Sequence, residues 1–181
     1  MTAATDLARG AALGTLLVAI AWIVAQCGDV GDVHADDADP QLVLARMAAG
    51  EAGLDALPGE IAAMGEVMRR RGGGEIRVDV MRRYSSALRT GRQPWVVELS
   101  VHGTVPPSWP AHLAWERYER RWERIYAYAG RVVRGEARSR CVDPPDHFGA
   151  RHGVDYARAV RAGWRAVDCG RTANAFWSVR R

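Results

Sequence analysis

The side chains of this sequence that could do chemistry are carboxylates and histidines, because no stretch matches a stronger catalytic motif. The run Gly72-Gly73-Gly74 lacks the preceding strand and the following lysine of a phosphate-binding loop. The chain has no Gly-x-Ser-x-Gly elbow of a serine hydrolase, and its three cysteines lack the spacing of a zinc site. Acid–base chemistry by carboxylates is therefore the class of reaction that the residues favour.

Glu51 is the most prominent acidic candidate. It stands at the end of a predicted amphipathic helix, among the residues 48–53, whose other members have almost no side chain. Small neighbours would leave room for a bulky substrate, and an apolar setting would keep the carboxyl protonated as a general acid. A solvated glutamate at a helix end is the alternative that the local pattern leaves open.

A loop near residue 147 carries the histidines that could bind a metal. His147 and His152 flank this loop, which also contains Asp143 and Asp146. Proline-rich loops commonly hold histidines for hydrogen bonding alone, so we expect no metal site.

The elements that must position these residues are mostly helices. Helices are predicted over residues 40–50, 58–71, 81–88, 111–134 and 156–164, a short strand over 76–80, and an irregular or strand segment after Cys169. Residues 95–99 fit either a strand or a helix, and residues 141–149 form loops. The fold class is therefore mainly α, or α+β with minor β.

The charge of the chain is divided unevenly. A length of 181 residues, 48% apolar and 25% charged, is typical of one globular domain and excludes wholesale disorder. All 25 basic residues are arginines, and the net charge is +4. Residues 1–60 carry two arginines against nine acidic residues, whereas residues 61–181 carry 23 arginines against 12. We expect this cationic larger part to bind a polyanion: nucleic acid, an anionic membrane surface or a cell-wall polymer.

The N-terminal segment predicts export. Residues 10–28 are 19 consecutive uncharged residues, which as a helix would reach about 28 Å, enough to cross a bilayer core. We interpret residues 1–28 as a signal peptide or membrane anchor, residues 29–39 as an acidic linker and residues 40–181 as the exported domain. Arg9 before the segment and acidic residues after it favour a cytoplasmic N-terminus. A buried helix of a soluble protein is the alternative.

Two cysteines support the same interpretation. Cys141 and Cys169 are the only cysteines of the cationic part, and such a pair in an exported domain predicts a disulfide. Two free buried thiols are the alternative.

Several short stretches occur in an order that is typical of a known family. They are Leu44-Ala45-Arg46, Glu51-Ala52, residues 59–67, Gly135, Asp143, Gly149-Ala150, and Cys169-Gly170 followed by Asn174, Phe176 and Trp177. The resemblance that they carry covers roughly residues 41–177, nearly the whole exported domain. In this order the chain resembles the spore-cortex-lytic and cell wall hydrolase family.

The resemblance implies a lysozyme-like helical domain that cleaves the β-1,4 glycan strand of peptidoglycan, without a metal ion or an organic cofactor. Glu51 would protonate the glycosidic oxygen. In a lytic transglycosylase the same residue then acts as a base on the sugar's own 6-hydroxyl, so one carboxylate suffices. A hydrolase would need a second acid about 5–9 Å away. Asp55 and Glu60 are the candidates across the turn, with an exposed turn position as the alternative for both. We favour the single-acid route.

Aromatic and hydroxyl side chains are candidates for binding the glycan, because aromatic faces stack well on sugar rings. Trp115 and Trp122 lie on a helical stripe, which predicts core positions instead. The tryptophans of irregular stretches, Trp95, Trp109, Trp164 and Trp177, are better candidates. Tyr84 and Ser85 could offer hydroxyls, with ordinary packing as the alternative. The complete set that we expect to bind substrate is Tyr84, Ser85, Trp95, His147, Asn174 and Trp177.

The sequence therefore predicts an extracytoplasmic wall-lytic enzyme whose partners are peptidoglycan strands and, through its N-terminal helix, the membrane. Its alanine-rich N-terminal segment is similar to the anchors of some phage endolysins. A noncatalytic cationic module that binds the wall is the alternative of another class. Nucleic-acid binding would rest on Arg69-Arg70-Arg71 and Arg82-Arg83, but export and a disulfide argue against it.

Overall fold

A helix that is buried on all sides, α1 (Pro40–Ala52), lies at the centre of the fold. Its predicted start is confirmed: the Asp39 side chain accepts a hydrogen bond from the Gln41 N–H (2.9 Å), and Pro40 occupies the first turn. Residues 42–49 are all buried, including Arg46, whose Nε donates to the Leu99 carbonyl (2.9 Å). A helix that is apolar all round is expected where other elements surround it.

The computed structural model describes residues 38–152 and 154–179. The predicted signal peptide or anchor, and all of the predicted acidic linker except its last two residues, lie outside this range. Within the described range, no helix combines the length and the apolar character that crossing a membrane requires.

Three helices follow α1 in the first half of the domain: α2 (Pro58–Arg71), α3 (Val78–Tyr84) and α4 (Pro94–Glu98). The predicted bounds of α2 are confirmed. It ends in three arginines, and the Gly72 N–H then bonds back to the Met68 carbonyl (2.8 Å). The ambiguous segment near residue 95 is helical.

The strand predicted over residues 76–80 is wrong, because α3 already begins at Val78. Arg77 pairs with Asp79 at the helix start (3.1 Å between Nε and Oδ1), and the adjacent Val80 and Met81 are both buried. The alternation that suggested a strand is too short to exclude a helix that buries such adjacent positions. The helix predicted over 81–88 therefore starts earlier and ends at Tyr84.

The longest helix, α5 (Glu116–Val133), packs against α1 and α2. It begins at Glu116 rather than at residue 111, because residues 111–115 form turns after Pro110. The core positions predicted for Trp115 and Trp122 are confirmed: their side chains are buried, and each indole N–H donates to a backbone carbonyl. Gly65 of α2 allows close approach to α5, since a Cβ there would overlap Val132.

The second half of the domain contains a small antiparallel sheet. Its strands are β1 (His147–Ala150), β2 (Arg165–Val167) and β3 (Asn174–Ser178), in the order β1-β3-β2, and helix α6 (Val154–Arg161) connects the first two. In this sheet Phe148 pairs with Phe176. β1 lies partly in a region that the sequence assigned to loops, because a four-residue strand carries almost no pattern of its own.

The predicted disulfide is confirmed. Cys141, before β1, is bonded to Cys169, between β2 and β3, across a sequence separation of 28 residues. Next to it the Val142 N–H donates to the Asp168 carbonyl (2.9 Å). The described chain is thus a mixed fold, in which helices surround α1 and a three-stranded sheet follows them.

Candidate functional site

Glu51 lies in the last turn of α1, and its small neighbours serve packing. A Cβ at Gly50 would overlap Ala87 and touch Val96, so the space beside this glycine is already filled by other side chains. The expectation that these small residues leave room for a substrate is therefore wrong at Gly50, because the loop after α3 already packs there.

The carboxylate of Glu51 is held on one of its two oxygens. Oε1 accepts hydrogen bonds from Ser85 Oγ (2.7 Å), Ser86 Oγ (3.2 Å) and the Ala87 N–H (3.1 Å). Among the described residues none donates to Oε2. The immediate setting of the carboxylate is thus polar, which corrects the expectation of an apolar one. Three donors on Oε1 fix its orientation, and Oε2 stays available to a ligand.

An open cleft of about 370 Å³ lies beside this carboxylate. Helices, strands and loops of both halves of the domain line it. We call it the Glu51 cleft, and its lining residues are Glu51, Arg71, Tyr84, Ser86, Arg89, His147, Phe148, Gly149, Asp155, Arg158, Trp164 and Trp177. Of the predicted site residues, the structure brings Glu51, Tyr84, His147 and Trp177 together here.

Tyr84 contributes its ring to the cleft, while its hydroxyl is occupied. The hydroxyl accepts from the Phe148 N–H (2.9 Å) and donates to the Phe148 carbonyl (3.2 Å). Burial raises the pKa of Tyr84; the Phe148 bond and Arg71 act to lower it, and the carboxylates of Asp155 and Glu51 raise it. Tyr84 therefore joins α3 to β1 as a neutral phenol.

His147 forms a neutral part of the cleft wall. Its ring lies on Trp164 (4.1 Å between centroids), and Arg71 donates to its Nε2. The pKa of His147 is lowered to about 4, chiefly by burial and then by the positive charges of Arg71 and Arg158. The negative charge of Asp146 acts in the opposite direction and raises this pKa. Since Nε2 accepts, Nδ1 carries the hydrogen, and this buried atom has no hydrogen-bond partner within residues 38–152 and 154–179. His147 is thus not a proton donor near neutral pH.

The acidic residues of the loop near residue 147, for which no metal site is expected, form ion pairs. Asp143 pairs with Arg165 (2.6 Å), and Asp146 pairs with Arg70 (2.9 Å). Burial alone would raise the pKa of Asp146, but the Val179 N–H and Arg70 hold it below its usual range. Within the described residues no cluster of His, Cys, Asp and Glu could hold a metal ion.

Glu60 and Asn174 lie behind the cleft. Glu60 is 1% exposed, and its Oε1 accepts from both the Asn174 N–H (2.8 Å) and the Asn174 Nδ2 (3.1 Å). The same Nδ2 donates to the Glu51 carbonyl (3.1 Å). Neither side chain reaches the cleft, which corrects the expectation of Glu60 as a second acid and of Asn174 as a substrate ligand. They join α2 and β3 to the end of α1.

Three further predictions for the site do not match the structure. Ser85 is 1% exposed, and its hydroxyl donates to Glu51, so it positions the carboxylate and cannot touch substrate. Trp95 packs edge-on against Trp109 (5.2 Å) in an aromatic cluster away from the cleft. Asp55 is exposed and pairs with Arg121. In each case a long-range contact that the sequence pattern does not encode decides the position.

Sequence reasoning missed an acid and three arginines of the cleft. Asp155 of α6 lies against the backbone of β1, since a Cβ at Gly149 would come within 3.0 Å of its Oδ2. The arginines are Arg71, Arg89 and Arg158. The one available signal was the i,i+3 spacing of Asp155 and Arg158, which places both on one helix face.

No family model, curated protein or solved structure matches this chain. Any function must therefore be argued from the Glu51 cleft itself.

Proposed function

We propose that this chain is an exported enzyme that cleaves the glycan strand of peptidoglycan, with Glu51 as its general acid and base. The observation that carries the proposal is the asymmetric binding of the Glu51 carboxylate. Oε1 is occupied by three donors, while Oε2 receives none from the described residues and Glu51 lines the open cleft.

This asymmetry determines which oxygen can transfer a proton. In the acid form Oε1 is the carbonyl oxygen that accepts from Ser85, Ser86 and Ala87, so the proton is carried by Oε2. A glycosidic oxygen in the cleft would receive that proton as the leaving group departs. The carboxylate that remains would then remove a proton from the sugar's 6-hydroxyl, which closes an anhydro ring and returns Glu51 to its acid form.

Asp155 supplies a second carboxylate in the same cleft. In a hydrolase such a group activates a water molecule or stabilises the positive charge that develops on the sugar ring. Since Glu60 and Asp55 do not line the cleft, Asp155 is the residue that a hydrolytic mechanism would use. The single-acid transglycosylase route remains our proposal, and the chemical form of the product ends separates the two.

The rest of the chain is compatible with a wall-lytic enzyme. We propose that the fold is lysozyme-like, because a helix ends in an acid that lines the cleft and a small antiparallel sheet lies near the same cleft. The Cys141–Cys169 disulfide supports a location outside the cytoplasm, because disulfides persist in oxidising compartments. An open, cationic cleft is suited to a polymeric, acidic substrate such as the cell wall.

A noncatalytic wall-binding module is the second candidate, because the same cationic surface would bind wall polymers without Glu51 chemistry. Nucleic-acid binding has less support. Arg69 donates to the Val132 carbonyl (2.8 Å) and Arg70 pairs with Asp146 (2.9 Å), so two of the three arginines of the basic run are committed to the protein itself.

The test is clearance of a peptidoglycan suspension by the purified full-length chain, followed by mass spectrometry of the soluble products. We expect clearance with anhydro-sugar ends, and a loss of at least 100-fold in Glu51→Gln, since general acid–base catalysis typically contributes that much. Glutamine keeps an oxygen that can accept the three bonds now made to Oε1, so the fold should be retained.

Glu75→Gln is the matched control, because Glu75 is exposed and lies outside the cleft. Reducing ends that depend on Asp155 would identify a hydrolase instead. Wall binding without soluble products would favour the noncatalytic module, and clearance by Glu51→Gln at the rate of the unmodified chain would refute the assignment of Glu51.

A further inference from the structure

The Glu51 cleft contains an arginine arc, which we define as Arg71, Arg89 and Arg158. Two carboxylates, Glu51 and Asp155, share the cleft. None of the ion pairs found among the described residues joins either carboxylate to a member of the arc. The positive charge of the arc is therefore not neutralised within the cleft.

Arg71 is the most rigid member of the arc. Its Nε donates to the Asp146 carbonyl (3.0 Å), one terminal nitrogen donates to His147 Nε2, and the guanidinium lies over the Tyr84 ring (4.3 Å). These contacts use two of the five N–H groups of the guanidinium. The other three are held in place without protein acceptors among the described residues, a geometry that suits a planar anion.

The other two arginines extend this anion-binding potential. Arg89 is anchored by one bond, from Nε to the Ser85 carbonyl (3.2 Å), and its two terminal nitrogens have no acceptor in the part of the chain that the structure describes. Arg158 makes no hydrogen bond or ion pair with the described residues, although Asp155 is only three positions away on the same helix. Its charge nevertheless acts on His147, which places it close to the cleft wall.

From these contacts we infer that the arginine arc binds a carboxylate group of the glycan strand during cleavage, an inference that rests on the proposed function. A neutral polysaccharide offers hydroxyl and amide oxygens but no anionic partner for three guanidinium groups that form no ion pair with the cleft carboxylates. A peptidoglycan strand offers carboxylates from two sources: the lactyl groups of those muramic acid residues whose stem peptide has been removed, and the carboxylates of the stem peptides where they remain. Both have the planar shape that arginine binds through two parallel N–H···O bonds.

The experiment measures binding by calorimetry with the full-length Glu51→Gln chain, which cannot turn over its ligands. The three ligands are a neutral chitin oligosaccharide, a soluble glycan strand stripped of stem peptides by an amidase, and the same strand with its peptides. We expect the acidic strands to bind at least tenfold more tightly than the chitin oligosaccharide at low salt, with a difference that decreases as salt screens the charges.

Variants of the arc identify the residues responsible. In the Glu51→Gln background, Arg158→Gln and Arg89→Gln should each reduce the preference for acidic strands several-fold without changing chitin binding. Arg138→Gln, an exposed arginine outside the cleft, should leave the preference intact. Tighter binding of the stripped strand alone assigns the lactyl carboxylate, and tighter binding of the peptide-bearing strand alone assigns the stem peptide. Equal tightening by both strands shows that the arc accepts a carboxylate from either source.

Equal binding of neutral and acidic ligands, or a preference that survives both arc substitutions, would overturn the inference. Such a result would not affect the proposed function, which is tested separately by the release of glycan fragments from the unmodified chain and by the loss of that release in Glu51→Gln. An absence of binding to all three ligands by a chain with native circular dichroism would contradict both.

Discussion

At the scale of single residues, the proposed chemistry depends on the two oxygens of the Glu51 carboxylate having different partners. Ser85, Ser86 and Ala87 occupy Oε1 of Glu51 and leave Oε2 without a donor among the described residues. Ser85 is the buried member of this group and the shortest contact, so we expect it to contribute most to the orientation of the carboxylate.

Ser85→Ala should lower the rate of wall clearance about tenfold and destabilise the fold by about 1–2 kcal/mol, because the hydrogen bond from the buried Ser85 hydroxyl to Glu51 Oε1 is lost. Clearance rates and urea unfolding measure the two effects. Ser108→Ala is the matched control: Ser108 Oγ donates to Glu98 Oε2 (2.6 Å) outside the cleft, so this change should cost stability but not clearance. Equal clearance by both variants would remove the positioning role of Ser85.

The lowered pKa of His147 predicts how the stability of the folded chain depends on pH. Its pKa is lowered to about 4 in the folded chain, chiefly by burial and then by Arg71 and Arg158, against 6.5 for an unperturbed histidine. Between these two values the unfolded chain binds a proton that the folded chain does not, so the free energy of unfolding should fall as the pH falls from about 6.5 to about 4. Asp146, with a pKa below its usual range, acts at lower pH.

Urea unfolding at half-unit pH steps measures this dependence, and His147→Gln should flatten it in that window. An unchanged slope in the variant would show that another group is responsible.

At the scale of elements, Glu51 is placed by a junction of three of them. The end of α1, the start of α2 and the start of β3 meet where Asn174 donates both to Glu60 and to the Glu51 carbonyl. Glu60 lies in the first turn of α2, where the helix dipole favours a negative charge. This junction explains why an acid predicted to be catalytic is instead buried.

Asn174→Ala should destabilise the chain by about 1–3 kcal/mol, because Glu60 and the Glu51 carbonyl each lose a buried donor. Denaturant unfolding gives the stability, and clearance activity reports on the displaced end of α1. Asn174→Asp should be worse than alanine, since it places a second carboxylate against Glu60. A stability unchanged in both variants would contradict this account.

At the scale of the whole molecule, the disulfide joins the connection before β1 to the connection between β2 and β3. The strands are three to five residues long, which gives the sheet few hydrogen bonds to hold its register. A covalent link that closes a loop of this size reduces the entropy of the unfolded chain. The wall of the cleft formed by β1 therefore depends on a bond between distant residues.

Replacing Cys141 and Cys169 together by alanine should lower the free energy of unfolding by about 3–4 kcal/mol, as expected for a closed loop of roughly 30 residues. Unfolding of the unmodified chain with and without a reductant should show the same difference, and the double variant should not respond to reductant. Equal stability of the two proteins would contradict the role assigned to the bond.

Local signals in the sequence were sufficient for features that depend on neighbours in the chain. Asp39-Pro40 determined the start of α1, Pro58 and the Arg-Gly run determined α2, and the aromatic stripe identified Trp115 and Trp122 as core. Capping, helix termination and amphipathic spacing act within one or two turns, so they can be read from a single stretch of residues. The pairing of Cys141 with Cys169 followed from their being the two cysteines of the predicted exported domain.

Only the tertiary structure decided which polar side chains meet. Glu60 and Glu51 are both acids near a helix end, yet one is buried against Asn174, more than a hundred positions away in the chain, and the other lines the cleft. The strand pattern at residues 76–80 gave way to a helix because the core buries Val80 and Met81 together. Asp155 and the arginine arc reach the cleft through packing of α6 and the sheet, a long-range arrangement that no local pattern encodes.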